Sequence, residues 1–159
     1  MYYIAVVGGS TCTDLESRVA RNVGEEIARR GGILICGGGF GVMEAASMGA
    51  SAEGGLVVGV LPGDNREEGN PYLDAVVATG LGEARNPIIA RTADAVIAVG
   101  GEYGTLSEIA LALKMGKPVI GLNTWVLSSP HKLKSEIIEV ADAKEAVDEA
   151  FNLVSNQQA

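Results

Sequence analysis

Two residues carry most of the chemical interest in this chain, Glu108 in AVIAVGGEYGTLSE and Arg85 in GLGEARNPI. A carboxylate beside a sugar carbon stabilises the oxocarbenium character that develops when a bond at that carbon breaks. A guanidinium matches phosphate oxygens through paired hydrogen bonds. Each residue also has a plainer reading. Thr105-Leu-Ser-Glu108 has the spacing of a capping box, in which Glu108 reaches back to the Thr105 N–H, and Arg85 suits an ordinary surface salt bridge. The residue types leave both alternatives open.

What surrounds them is glycine. Three apolar runs end in glycine-rich turns, VVGGS (6–10), ILICGGGFGVMEAA (33–46) and VIAVGGEYGTLSE (96–108), and the last two lead directly into helical spacing. A helix start offers unpaired N–H groups at the positive end of its dipole, so an anion docks there without a lysine. Glycine, lacking Cβ, lets a phosphate approach the backbone closely. Tight turns and close helix–sheet packing are the plainer explanation for any single loop. Three loops at one sheet edge point to a ligand.

The elements that must position these loops alternate along the chain. Apolar, β-branched runs at 3–7, 33–36, 56–61, 75–79, 95–99 and 118–122 read as strands, with an edge strand at 136–140. Helices are expected at 13–30, 42–52, 87–92 and 105–115, with a last one from Asp142. Thr13 with Glu16, and Asp142 with Glu145, have capping-box spacing, and Gly31-Gly32 closes the first helix. Pro62 to Tyr72 reads as an exposed loop. Strands alternating with helices imply parallel βαβ units, and continuous apolar strands imply a sheet covered on both faces. The expectation is an α/β fold: one Rossmann-like, doubly wound domain over residues 1–159, with ligands at the carboxyl ends of its strands.

Several functions are excluded. The formal charge of −8 argues against a nucleic-acid surface. GGGFGVME does not match G-x-G-x-x-G, and no G-x-x-x-x-G-K-[ST] occurs, so neither dinucleotide nor triphosphate binding of the usual kind is expected. Cys12, Cys36 and the lone His131 form no zinc pattern, and no metal site is expected. The start MYYIAVVGG lacks the features of a signal peptide and no run reaches membrane-spanning length, so a cytoplasmic protein with reduced thiols is expected.

Taken together, GGGFGVMEAA, EARN and ADAVIAVGGEYGTLSEIALAL resemble the LONELY GUY (LOG) family and the related molybdenum cofactor carrier proteins, over roughly residues 4–122. Both belong to a wider group long labelled lysine decarboxylases. That label finds no support: pyridoxal chemistry needs a Schiff-base lysine, and all five lysines lie from Lys114 onward. The wording ARNPIIARTADAVIAVGGEYGTLSEIALAL is closer to the carrier-like branch. LOG enzymes cleave the N-glycosidic bond of nucleoside 5′-monophosphates, and their signature resembles P-G-G-x-G-T-x-x-E preceded by an arginine. The signature proline falls on Gly100 and its second glycine on Glu102, whereas Gly101, Gly104, Thr105 and Glu108 match and the arginine falls on Arg85. A lysine common after that arginine is replaced by Asn86.

The resemblance implies Glu108 and Arg85 as catalytic residues. It implies ligand contacts from Gly8, Gly9 and Ser10, from Gly38, Gly39, Gly41 and Met43, from Asn86, and from Gly100, Gly101, Gly104 and Thr105. It implies a small phosphate-bearing ligand, either an AMP-like nucleotide that is hydrolysed or a molybdopterin-type cofactor that is only carried, with no further cofactor required. It also implies a homo-oligomer, dimer or tetramer, for which the small-residue helix EAASMGASA (44–52) offers a closely packing face.

Overall fold

The buried run Ile4–Val7 forms the centre of the first strand, Tyr3–Gly8 (β1). In the computed structural model, which describes residues 1–157 and 159, the remaining strands are Ile33–Cys36 (β2), Val57–Leu61 (β3), Ala75–Ala78 (β4), Ala95–Val99 (β5), Val119–Leu122 (β6) and Ile137–Glu139 (β7). They form one sheet in the order β4-β3-β2-β1-β5-β6-β7, with every pairing parallel. β1 lies beside both β2 and β5, with Tyr3 opposite Ile33 and Gly8 opposite Val99. The helices are Asp14–Arg29 (α1), Val42–Ala52 (α2), Asn86–Thr92 (α3), Tyr103–Lys114 (α4) and Ala143–Gln157 (α5).

The strands are buried on both faces because successive side chains point to opposite sides of a sheet. Ile4, Val6, Leu34, Cys36, Ile97 and Val99 pack with Val23, Ile27, Ala46 and Val147 of α1, α2 and α5. Ala5, Val7, Ile35, Val96 and Ala98 pack with Ile89, Ile109 and Ala112 of α3 and α4. The doubly wound α/β architecture is therefore the one the alternating pattern predicts. Among the described residues, no helix is long and apolar enough to cross a membrane.

Local signals set the helix ends. Thr13 Oγ1 accepts the Glu16 N–H at 3.1 Å while Glu16 Oε1 accepts the Thr13 N–H at 3.4 Å, a closed capping box. Gly31 (φ 71°) ends α1 in the left-handed region, where a Cβ is unfavourable. At α5, Asp142 accepts the Glu145 N–H at 2.9 Å, and Glu145 reaches back to the Ala141 N–H. One helix start departs from the prediction: α4 begins at Tyr103, not Thr105. The polar stretch 62–72 contains a short 3-10 turn at Arg66–Glu68.

The small residues of α2 are consumed inside the chain. A Cβ on Gly24 would run into the carbonyl of Ala46, and one on Gly49 into the carbonyl of Arg21. Val42, Ala45, Ala46, Ser47, Gly49 and Ala50 are all buried against the body of the molecule. The face proposed for self-association is thus the seam between α1 and α2. Replacing Gly24 or Gly49 with alanine should force the two helices apart at a cost of ~1–3 kcal/mol, outweighing alanine's better helix propensity. Urea titration of each variant tests this, and an unchanged midpoint would mean that the seam relaxes freely.

Candidate functional site

The cavity follows from the sheet order. β1 and β5 are neighbours, yet their connections leave toward opposite faces, α1 after β1 and α4 after β5. No loop closes the gap at their carboxyl ends, the usual ligand position in such sheets. A cavity of about 440 Å³ opens there, lined by Gly8, Gly9, Ser10, Thr11, Glu16, Met43, Glu83, Arg85, Asn86, Gly101, Glu102, Gly104, Thr105 and Glu108.

Its floor is the first turn of α4. Gly101 turns the chain at φ 94°, and a Cβ there would collide with the Thr105 side chain. Glu102 follows as the N-cap residue and supplies no side-chain cap. The N–H groups of Tyr103, Gly104 and Thr105 consequently find no acceptor among the described residues. Thr105 is only 4% exposed, and its hydroxyl, turned to the cavity, likewise makes no hydrogen bond among them. This is an open anion seat of backbone donors plus one hydroxyl. At the start of α2, by contrast, the Val42 N–H already donates to the Gly9 carbonyl at 3.0 Å. Only one of the two helix starts singled out in the sequence is fully open.

Because α4 begins two residues early, Thr105 lies within its first turn and Glu108 in the second. The N-cap is therefore Glu102 rather than Thr105, Glu108 makes no hydrogen bond to the free Thr105 N–H, and the capping-box reading is corrected. Its carboxyl is pushed up to about 7, chiefly by burial, with Arg85 opposing the rise and Glu83 adding to it. Part of the side chain still borders the cavity.

Arg85 ends a 3-10 turn at Gly82–Arg85, just before α3. It makes no salt bridge among the described residues. Its Nη1 donates to the carbonyls of Gly37, at 2.7 Å, and Val60, at the carboxyl ends of β2 and β3. Its Nε donates to Asn86 Oδ1 at 2.9 Å. Nη2 makes no hydrogen bond within the described chain. Asn86 is 4% exposed, and its Nδ2 donates to Ser107 Oγ at 3.0 Å and to Glu83 Oε2 at 3.3 Å.

Of the residues expected at the site, Gly8, Gly9, Ser10, Met43, Arg85, Asn86, Gly101, Gly104, Thr105 and Glu108 come together around the cavity. Gly38, Gly39, Gly41 and Gly100 do not line it, and each has another reason to be glycine or to be held in place. The Gly38 and Gly39 carbonyls accept hydrogen bonds from Asn70, which ties down the 62–72 loop. Gly41 (φ 62°) lies hard against Gly9 and Ser10. Gly100 (φ 54°) lies against Glu16, and its carbonyl accepts from Thr124 Oγ1 at 2.6 Å. Thr11, Glu16 and Glu83 were not anticipated at the cavity. Nor was Trp125, which lies outside the lining but donates from Nε1 to the carbonyl of Glu102 at 3.0 Å. Glu16 is recognisable in sequence only as a cap, which it also is; Trp125 carries no local signal.

Arg85 is the only cation on the lining, facing Glu16, Glu83, Glu102 and Glu108. No cluster of three or more His, Cys, Asp or Glu suited to a metal ion occurs among the described residues. Cys36 is fully buried beside Ser47, and burial pushes its thiol up, which makes it inert.

A doubly wound parallel sheet with a glycine-lined cavity at its switch point defines a Rossmann-like binding protein for small ligands. Within that class, the model of the SLOG cluster4 family matches residues 1–151, and the chain belongs to this family. An uncharacterized protein of Archaeoglobus fulgidus is 50% identical over 124 residues, covering 78% of this chain and 82% of that protein. The cytokinin riboside 5′-monophosphate phosphoribohydrolase of Mycobacterium tuberculosis is 34% identical over 116 residues. That match covers 67% of this chain but 62% of the enzyme, so this chain spans under two thirds of its length. Among solved structures, the molybdenum cofactor binding protein of Rippkaea orientalis superposes with a TM-score of 0.84 at 34% identity. That likeness covers 99% of this chain and 98% of the other. The likeness read from the three motifs, to both LOG enzymes and cofactor carriers, is therefore the family relationship.

The buried carboxyl makes stability depend on pH in a defined direction. Folding raises the proton affinity of Glu108 above its ordinary value of 4.5. Its contribution is intact below about 4.5 and is lost progressively as the pH rises through about 7. Glu108→Gln removes that loss. The variant should be more stable than wild type by on the order of 1–3 kcal/mol at pH 8 and nearly equal to it at pH 4. Thermal unfolding of both proteins across this range checks the sign; a pH-independent difference would remove the buried carboxyl as its source.

Proposed function

We propose that this chain acts as one Rossmann-like phosphate-ligand-binding domain and hydrolyses the N-glycosidic bond of a nucleoside 5′-monophosphate, releasing base and ribose 5-phosphate. The observation that carries this reading is the pairing, in one cavity, of an uncapped helix start with a partly desolvated carboxyl. The 5′-phosphate would sit on the N–H groups of Gly104 and Thr105 and the Thr105 hydroxyl, with Gly101 allowing the close approach. Arg85 would anchor the ligand through its uncommitted Nη2. Glu108, lying beyond the phosphate seat, would stabilise positive charge at the sugar carbon or orient the attacking water. The likeness to the Mycobacterium enzyme supports the same chemistry. No further cofactor is needed for this step. A cytoplasmic location and assembly into a dimer or tetramer belong to the same reading, and light scattering tests the assembly.

Glu102 favours a second reading. It brings a carboxylate to the rim at the place where the LOG signature has glycine, and four carboxylates then face one arginine. Such a site suits a ligand that is held without turnover, and the full-length likeness to a molybdenum cofactor binding protein points the same way. The ligand would again dock by its phosphate.

Incubation with AMP and detection of free adenine separates the two readings. As a hydrolase, the wild type should release adenine with a rate that rises with pH through about 7, as Glu108 ionises. Glu108→Gln and Arg85→Ala should each lower the rate by ~100-fold or more, about 3 kcal/mol of transition-state stabilisation, with the fold retained. Binding without base release from any nucleoside monophosphate would establish the carrier reading instead.

A further inference from the structure

Arg85 and the first turn of α4 belong to different elements, and a single chain of hydrogen bonds joins them. Arg85 Nε donates to Asn86 Oδ1 at 2.9 Å, Asn86 Nδ2 to Ser107 Oγ at 3.0 Å, and Ser107 Oγ to the Gly104 carbonyl at 2.7 Å. The direction of every link is forced. Arginine has donors only, so the amide oxygen of Asn86 must face it and the amide nitrogen must face Ser107. The serine hydroxyl, accepting a hydrogen bond from Asn86, donates its own hydrogen to the Gly104 carbonyl. Asn86 has no donor left over, because its second Nδ2 hydrogen goes to Glu83 Oε2. A residue bonded in this way serves other residues better than it serves a ligand.

We propose that Asn86 and Ser107 are positioning residues that fix the guanidinium of Arg85 at a set distance from the anion seat on α4. The proposal rests on the reading of that seat and of Arg85 as the two holds on a phosphate-bearing ligand. Arg85 Nη1 is already pinned to the ends of β2 and β3. Two pivots stop a planar group from rotating, so the Asn86 bond sets the direction in which Nη2 points. Glu108 follows Ser107 directly, so the same link also steadies the turn of α4 that carries the carboxyl. Asn86 thereby replaces a ligand-binding role with a structural one acting through Arg85.

Two measurements on the full-length chain test this. In the first, which needs no ligand, hydrogen exchange at the Arg85 Nε–H is followed by NMR. Exchange should be slow in wild type and in Ser107→Thr, which keeps the hydroxyl, and at least about 10-fold faster in Ser107→Ala and Asn86→Ala. In the second, AMP affinity should fall about 5- to 10-fold in Ser107→Ala and recover in Ser107→Thr. Ser107→Ala should have no further effect in an Arg85→Lys background, which lacks Nε. A merely structural serine would weaken binding equally in both backgrounds. Unchanged Nε–H exchange in Ser107→Ala, or additive losses with Arg85→Lys, overturns the proposal. Wild-type protein that binds neither AMP nor inorganic phosphate overturns the ligand site itself, whereas the exchange measurement still decides the network.

Discussion

Neighbouring parallel strands whose connections depart to opposite faces leave a gap that no loop can cover, and in this molecule that gap lies between β1 and β5. The carbonyls of Gly37 and Val60, at the carboxyl ends of β2 and β3, bring negative dipole ends to its side. Arg85 sits where it can accept that charge, through Gly37 and Val60. Its position in turn requires the 3-10 turn ahead of α3 and the amide of Asn86. The cavity is thus a boundary condition of the sheet, and the surrounding loops are arranged to satisfy it.

The electrostatics of the cavity are unusual for an anion site. Four carboxylates and one guanidinium leave the lining negative, and that guanidinium already donates to two backbone carbonyls. Attraction for a phosphate then falls on fixed dipoles, the N–H groups at the start of α4, which act at short range and involve no side-chain rearrangement. Short-range attraction within a repulsive field is a selective arrangement. A ligand has to bring its anionic group close to Gly104 and Thr105 before it gains anything. Burial favours the neutral form of Glu108, which softens the repulsion.

Much of this was legible in the sequence. Continuous apolar runs marked the strands, β2 and β5 to the residue, because side chains buried on both faces must all be apolar. Thr13 and Glu16 marked the start of α1 because a cap is a local interaction. Gly101 and Gly104 marked the turn into α4 that lines the cavity, because a tight turn at positive φ needs glycine, as at Gly101. What could not be read was set by contacts distant in the chain. The start of α4 is moved to Tyr103 by the turn at Gly101 and by Glu102, whose carbonyl is held by Trp125, 23 positions away. The bonds of Arg85 reach 25 and 48 positions back along the chain. Gly38, Gly41 and Gly100 looked like ligand contacts because glycine spared for packing and glycine spared for a phosphate are the same letter. The small residues of α2 misled in the same way, since Gly24 on α1 supplies the partner they needed.

The bond from Trp125 to Glu102 has a practical side. This is the only tryptophan in the chain. Its ring lies 5.7 Å from that of Tyr103, and its indole N–H rests on the backbone at the lip of the cavity. Any ligand that shifts the Gly101–Glu102 turn must disturb that indole, altering its polarity, its hydrogen bond and its energy transfer from tyrosine. The molecule therefore carries a built-in fluorophore at the edge of its cavity, with no second tryptophan to blur the signal.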